Sequence, residues 1–321
     1  MSGLNRPSTL LPVAGAQAAH ARVPELVVIS GKGGTGKTSV VASFAVLAHS
    51  VVVADCDVDA ADLHLVLAPE ILETHTFVSG HEAVIRQADC DSSGTCKEVC
   101  RFGAVIAGEG SAAFVIDPLA CEGCGVCVEL CPTRAIDFVE KTCGEWFVST
   151  TPSGPMVHAR LGIAAENSGK LVSTVRNEAK KVAARNGSGT ILVDGPPGIG
   201  CPVIAAITGA DGVLVVTEPT VSGAHDMERV LELAAHFQIP AAVCVNRWDL
   251  HPEGAERIEA HARDHGAIIA GRIRYDAAVT RAQVEGRSVV ELGGGAADDI
   301  RVVWDCVQQW MEGSTFPGEE F

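Results

Sequence analysis

The sequence predicts an α/β fold: a doubly wound parallel sheet covered on both faces by helices, with a small cysteine-rich module inserted after the early strands. Three observations predict it. Short Val/Ile/Leu runs alternate with helical patterns along most of the 321 residues, and near-continuous apolar strands of this kind belong to parallel sheets buried on both faces. The hydrophobic content, 47%, suffices for a core of that size. Between residues 90 and 131 the alternation breaks, and seven of the twelve cysteines crowd there.

The first strand is Leu26-Val27-Val28-Ile29-Ser30, bounded by Pro24 and Gly31. A helix follows over 36–49, then a second strand over 51–55. Further buried strands are expected at 190–194, 212–217, 241–246 and 267–270. Helical patterns separate them at 167–186, 201–209, 223–237, 253–265, 276–285 and 296–311. The expected organisation is an extension over 1–24, a first domain part over 25–85, the insert over 86–150, a second part over 151–312 and an acidic tail over 313–321. The extension makes a poor signal peptide, because a cytosolic motif follows almost at once. The tail reads as disordered.

Net charge is −16, with no basic stretch. That argues against nucleic acid, whose binding rests on neutralised phosphates, and against an anionic membrane surface. No apolar run reaches the ~18–20 residues that span a bilayer. The last helix carries Trp304 and Trp310 but no accompanying lysines, which favours packing over membrane attachment. The expected location is cytoplasmic.

Gly31-Lys32-Gly33-Gly34-Thr35-Gly36-Lys37-Thr38 fits G-x-x-x-x-G-K-[ST], after a strand and before a helix. In such a loop the backbone N–H groups of Gly33, Gly34, Thr35 and Gly36 curl around phosphate oxygens, with Ser39 in the first helical turn. Lys37 reaches the β/γ-phosphates and Thr38 ligates Mg²⁺. The implied cofactors are ATP and Mg²⁺.

The second lysine of the loop, Lys32, makes the pattern resemble the deviant P-loop of the MinD, Mrp and nitrogenase-iron-protein superfamily. The resemblance covers 24–85 and about 155–311 and implies a dimer in which Lys32 crosses onto the partner's ATP, acting as an arginine finger does. Asp55-Cys56-Asp57-Val58-Asp59 is similar to the family's first switch, and Asp57 would position the attacking water. Asp59 would lie close by, and the plainer reading is that Asp57 or Asp59 caps the next helix. Asp194-Gly195-Pro196-Pro197-Gly198 is similar to the Walker B and second-switch segment. Asp194 would hold the Mg²⁺ shell and Gly198 would sense the γ-phosphate. Asn246 matches the family's base-recognition asparagine, and Arg274 stands where relatives often place proline beside the adenine.

Cys121-x2-Cys124-x2-Cys127-x3-Cys131-Pro132 is a complete bacterial ferredoxin motif, whose fourth cysteine ligates the neighbouring cluster where there are two. Upstream, Cys90-x2-Ser93-x2-Cys96-x3-Cys100 repeats it with serine at the second ligand position. Crossing the ligands gives a complete [4Fe-4S] site (Cys100, Cys121, Cys124, Cys127) and an incomplete one (Cys90, Ser93, Cys96, Cys131). The incomplete site could hold a serine-ligated [4Fe-4S] cluster, hold a [3Fe-4S] cluster, or stay labile or vacant. Cys143, Asp89 and Asp91 are candidate substitutes for the missing thiolate. About fifty residues build little core, so metal would staple the insert, a ferredoxin-like 4Fe-4S module.

Cys201 lies seven residues after Asp194, the offset of the cluster cysteine in the nitrogenase iron protein. It is either an interfacial metal ligand or a small residue starting a helix. Cys56, Cys244 and Cys306 read as core, and His158 as a paired structural histidine. The whole arrangement resembles MinD-superfamily ATPases with an inserted ferredoxin domain. It implies a homodimer, or a heterodimer with a paralogue, serving an apo-metalloprotein client or a redox partner. Three functions follow: a metallocluster carrier or assembly ATPase, an ATP-gated electron donor, or a redox-sensing positioning ATPase. The serine-bearing site favours the carrier, because a leaky site suits transfer.

Overall fold

The computed structural model describes residues 22–110, 112–162 and 167–313. Most of the N-terminal extension and of the acidic tail lie outside these. The strands are β1 (Glu25–Ser30), β2 (Val51–Asp55), β3 (Glu70–Ile85), β4 (Val105–Ala107), β5 (Phe114–Ile116), β6 (Ile136–Thr151), β7 (Gly154–Leu161), β8 (Thr190–Pro197), β9 (Gly212–Thr217), β10 (Ala241–Asn246) and β11 (Ile268–Ile273). The helices are α1 (Lys37–Leu47), α2 (His64–Leu67), α3 (Thr95–Val99), α4 (Val126–Glu129), α5 (Ser168–Asn186), α6 (Cys201–Ile207), α7 (Val221–His236), α8 (Pro252–Asp264), α9 (Ala277–Val284), α10 (Val289–Leu292) and α11 (Gly295–Met311).

Nine strands form one sheet in the order β11-β10-β9-β1-β8-β2-β7-β6-β3. From β11 to β7 every pairing is parallel. The expected parallel sheet is found from β11 to β7, and it is extended at one end by β6, which runs antiparallel to both β7 and β3. The sequence hid this ribbon because β3 is mostly exposed and polar, with Glu70, Glu73, His75 and Glu82, and has no apolar run to mark it. Register shifts interrupt the β3–β6 ladder at Ile71/Glu73, Phe77/Val78 and Val78/His81, and such irregularities bend a ribbon.

Alternation along β1 divides the core. Val27 and Ile29 join the layer beneath α5–α8, while Leu26 and Val28 join the layer beneath α1 and α9–α11. Trp304 of α11 packs in the second layer against Phe44, ring centroids 4.7 Å apart, and Trp310 is partly buried there. Cys56 and Cys244 are fully buried, and Cys306 partly so. Arg176 of α5 grips Glu25 at the start of β1 with two 2.7 Å hydrogen bonds and also donates to the carbonyls of Ala205 and Thr208. It ties strand, α5 and α6 together. Removing one member of such a buried pair costs about 3–5 kcal/mol, because the other charge is left without compensation.

Beyond the far ends of β3 and β6 stands the cysteine-bearing unit. It has its own small core of Ala83, Ile85, Cys96, Val105 and Ile136, with β4 and β5 paired as a two-stranded sheet.

Candidate functional site: a phosphate cleft and two cysteine groups

The loop between β1 and α1 borders a cleft of about 580 Å³ lined by Gly33, Gly34, Thr35, Gly36, Lys37, Thr38, Ser39, Asp57, Asn246 and Arg274, among others. Gly36 has φ 88°, and a Cβ there would lie 2.4 Å from Nδ2 of Asn246, so only glycine fits this turn. Lys37 is nearly enclosed. Its Nζ donates to Oδ1 of Asp194 at 2.5 Å and to Oδ2 of Asp57 at 3.3 Å. Burial opposes the lysine's charge, but Asp194, Asp57 and Asp55 outweigh it and hold the ammonium above its ordinary range. Burial raises the carboxyl of Asp57, with Lys37 opposing. Burial and then the charge of Asp194 push Asp55 well above the usual carboxylate range.

Sequence reasoning, drawn to Asp57, misses Asp55 as a site residue. Asp55 is paired in register with Asp194 across β2 and β8, and its Oδ1 accepts from the backbone N–H of Asp57. Among the described residues, Oδ2 of Asp55, Oδ2 of Asp194 and Oγ1 of Thr35 are buried without a hydrogen-bond partner. Buried polar atoms are almost always satisfied. Orphaned oxygens beside a phosphate loop fit a hard divalent cation, which takes oxygen ligands. The available signal was the D-x-D spacing at the end of a strand.

The two cysteine repeats share a backbone plan. Positive φ recurs at matched positions: Ser92 (61°) and Gly123 (59°), Gly94 (79°) and Gly125 (74°), Gly103 (68°) and Arg134 (53°). Burial raises the Cys127 thiol, as do its neighbours Cys121, Cys124 and Cys100. Burial likewise raises Cys96, whose thiol neighbours are Cys90 and Cys131. The thiols therefore group crosswise, each set taking the last cysteine of the other repeat. Burial would raise Cys100, but the backbone N–H groups of Phe102, Ala104, Val105 and Gly103 bring it below the ordinary thiol range. Cys131 is lowered, against its burial, by the backbone N–H of Ala135, by the hydroxyl and N–H of Thr133 and by the N–H of Arg134. Such nests of N–H groups are receptive to thiolates.

Cys90, Asp91, Ser93, Cys96 and Cys131 border one small hollow. Asp91 accepts from the Ser93 backbone at 3.1 Å. The other suggested substitutes lie elsewhere: Asp89 pairs with Arg86 at 2.7 Å, and Cys143 is buried in the main core, donating to the Ser79 carbonyl. Cys201 is exposed at the start of α6.

Residues 26–289 match the model of the CobQ/CobB/MinD/ParA nucleotide binding domain. A protein of Methanocaldococcus jannaschii, of uncharacterised function, is 34% identical over 234 residues, 70% of this chain and 78% of that one. The chain belongs to the CobQ/CobB/MinD/ParA nucleotide-binding family. Among solved structures, MinD in the MinC:MinD complex of Aquifex aeolicus superposes with TM-score 0.55 at 19% identity, over 93% of this chain and 99% of that one. MinD of Pyrococcus horikoshii, solved with Mg-ADP, gives 0.52 at 16% identity, over 89% and 96%. A short stretch of 52 residues, 16% of this chain, is 46% identical to part of one component of the Na⁺-translocating ferredoxin:NAD⁺ oxidoreductase complex of Acetobacterium woodii, covering 15% of that protein.

Within this family framework, several of the expected site residues are held by partners of their own chain. Lys32 donates to Oγ of Ser222 at 3.0 Å and to Oγ1 of Thr220 at 3.4 Å, with Glu218 at 3.7 Å. The Gly198 N–H donates to the Ser30 carbonyl. Asn246 donates from Nδ2 to the Thr35 carbonyl at 2.7 Å, so it buttresses the phosphate loop as well as lining the cleft. Arg274, which lines the cleft, is fixed by Asp299 through Nε and Nη2.

Proposed function

We propose that this chain is a dimerising, ATP-hydrolysing iron–sulfur protein that carries or assembles a metallocluster for a client protein under nucleotide control. One observation carries the reading. The two crosswise thiol groups stand at one end of a ribbon whose other end is hydrogen-bonded, through β7, to the strand bearing Asp55 and leading into Asp57. The family model supports nucleotide binding. The ferredoxin-type spacing and the short match to the oxidoreductase component support the sulfur chemistry.

In the ATPase cycle, the loop N–H groups cradle the phosphates and Lys37 leaves Asp194 to reach them. The Asp194 oxygen so released and the unpartnered Oδ2 of Asp55, with Thr38, would hold Mg²⁺, which would neutralise developing phosphate charge. Asp57 then orients the attacking water. Lys32 swings from Ser222 towards a partner's nucleotide, and Gly198 releases Ser30. Each of these is an exchange of one hydrogen-bond partner for another, which suits a switch.

Cys100, Cys121, Cys124 and Cys127 would hold a resident [4Fe-4S] cluster, which supplies redox-active iron and structural stapling. The cargo cluster would use Cys90, Cys96 and Cys131, with Ser93 or Asp91 as the weak oxygen ligand. Serine is a harder ligand than thiolate, so iron is retained less firmly there. Cys201 from two protomers is offered as a further metal contact at the dimer axis, and Cys201→Ala would then lower dimer-bound metal.

The test is anaerobic, on the iron-loaded full chain with and without ATP. It measures cluster appearing on an apo-ferredoxin acceptor and, separately, reduction of a redox dye. ATP is expected to accelerate transfer. Electron delivery with every cluster retained would replace the carrier with an electron donor.

A further inference from the structure

α7 and α8 bring together three metal-ligating side chains that neither the phosphate cleft nor the cysteine unit uses. Glu228 is on α7, His261 is on α8, and His265 follows immediately after α8 ends. The four-residue spacing puts the two histidines on one helical face. Nε2 of His261 lies 3.5 Å from Oε1 of Glu228, and Nε2 of His265 lies 3.8 Å from the same oxygen. The ligand atoms of all three lie within 4.8 Å of one another.

We propose that Glu228, His261 and His265 bind a divalent d-block cation, zinc foremost, that clamps α7 to α8. The two measured edges, 3.5 and 3.8 Å, lie within about 0.2 Å of what the ion sets. A tetrahedral zinc with bonds of about 2.0–2.2 Å sets its ligand atoms about 3.3–3.6 Å apart along each edge. The tautomer fits as well. Nδ1 of His265 lies 2.9 Å from the His261 carbonyl. A carbonyl only accepts, so Nδ1 carries the proton. A neutral His265 therefore turns the lone pair of Nε2 towards Glu228. Such a backbone contact from the second ring nitrogen is the usual support of a metal-bound histidine.

A lone pair facing a carboxylate oxygen is repulsive unless a cation lies between. The two ring centroids are only 4.6 Å apart, so one ion can reach both rings. One dication serves all three groups. Two imidazoles and a carboxylate select Zn²⁺, Co²⁺, Ni²⁺ or Cu²⁺ over Mg²⁺ and Ca²⁺, so the site is chemically distinct from the oxygen-lined phosphate cleft. All three side chains are partly exposed, which leaves the fourth position to water and lets the metal exchange. The clamp also has a structural address. Ser222, which seats Lys32, is in the first turn of α7, about 9 Å along the helix from Glu228.

The experiment is equilibrium dialysis of the full chain against zinc, comparing wild type, His261→Ala/His265→Ala and Glu228→Gln. Zinc taken by cysteines is common to all three proteins and cancels. The double variant is expected to bind one zinc fewer per chain. Glu228→Gln should bind it at least about tenfold more weakly, the scale on which even supporting residues act. Zinc should raise the melting temperature of the wild type more than that of the double variant. Equal stoichiometry in all three proteins, or equal thermal shifts, would overturn the site. Neither result bears on the ATPase or cluster reading, which the transfer assay tests independently.

Discussion

The phosphate cleft rises from strands with every residue buried: β1, β2 and β9 have no exposed position along their length. The cysteine unit rises from a ribbon whose outer strand is mostly exposed, and its own core has five buried residues. The cleft can therefore be fully built before ligand arrives, with its charges paired among Lys37, Asp57 and Asp194. The unit buries little apolar surface against its chain entropy, and on the proposed reading metal holds its shape. On that reading one chain joins a preformed site to a conditional one.

The largest effect that would sharpen this contrast is on hydrolysis. Lys37→Ala should cut ATP turnover by at least about 100-fold, the scale of losing one transition-state charge contact, with iron content of the purified chain unchanged. A parallel fall in iron would mean that the two regions are not separable. Next comes metal removal. Chelation of iron under anaerobic conditions should strip hydrogen-exchange protection from residues 86–135 while leaving β1, β8 and β9 protected. Uniform loss along the chain would break the comparison.

Ser93→Cys should raise iron retained per chain and slow its loss to a chelator, because thiolate replaces the oxygen ligand. Unchanged iron would place the second group outside metal binding.

The smallest effect is on pH. His158 bonds Ser149 at 2.9 Å, between β7 and β6. Burial, then the charge of His64, lowers its pKa to about 4 from 6.5. Its neutral form is required in the fold, so the stability it contributes is complete above pH 6.5 and is lost as pH falls through about 4. His158→Gln should flatten the acid limb of a denaturation series by on the order of 2 kcal/mol. An unchanged limb would move the acid-labile element elsewhere.

Legibility in the sequence follows the same division. The phosphate loop and the central strands are contiguous in sequence, so runs such as Val213–Val216 and the loop's glycines announce them. The ribbon does not announce itself, since Glu70, Glu73 and His75 mask its alternation. Ligand spacing predicts the crosswise thiol groups, but not the N–H nests around Cys100 and Cys131, which arise from backbone turns. Asp55 escapes notice because its significance comes from Asp194, on a neighbouring strand. Glu228 and His265 are far apart in the chain and meet only once α7 and α8 pack.

The ribbon has a consequence for how the two ends communicate. From Val148, opposite Val157 of β7, to Ile136 at the unit is a run of one strand with a contour of about 40 Å at ~3.3 Å per residue. Charge is screened over ~8–10 Å in physiological salt. On the proposed reading, a phosphate gained or lost beside Asp57 would be electrically silent at Cys90. What would reach the sulfur end is displacement, carried by a ribbon whose ladder is already interrupted near Phe77 and Val78.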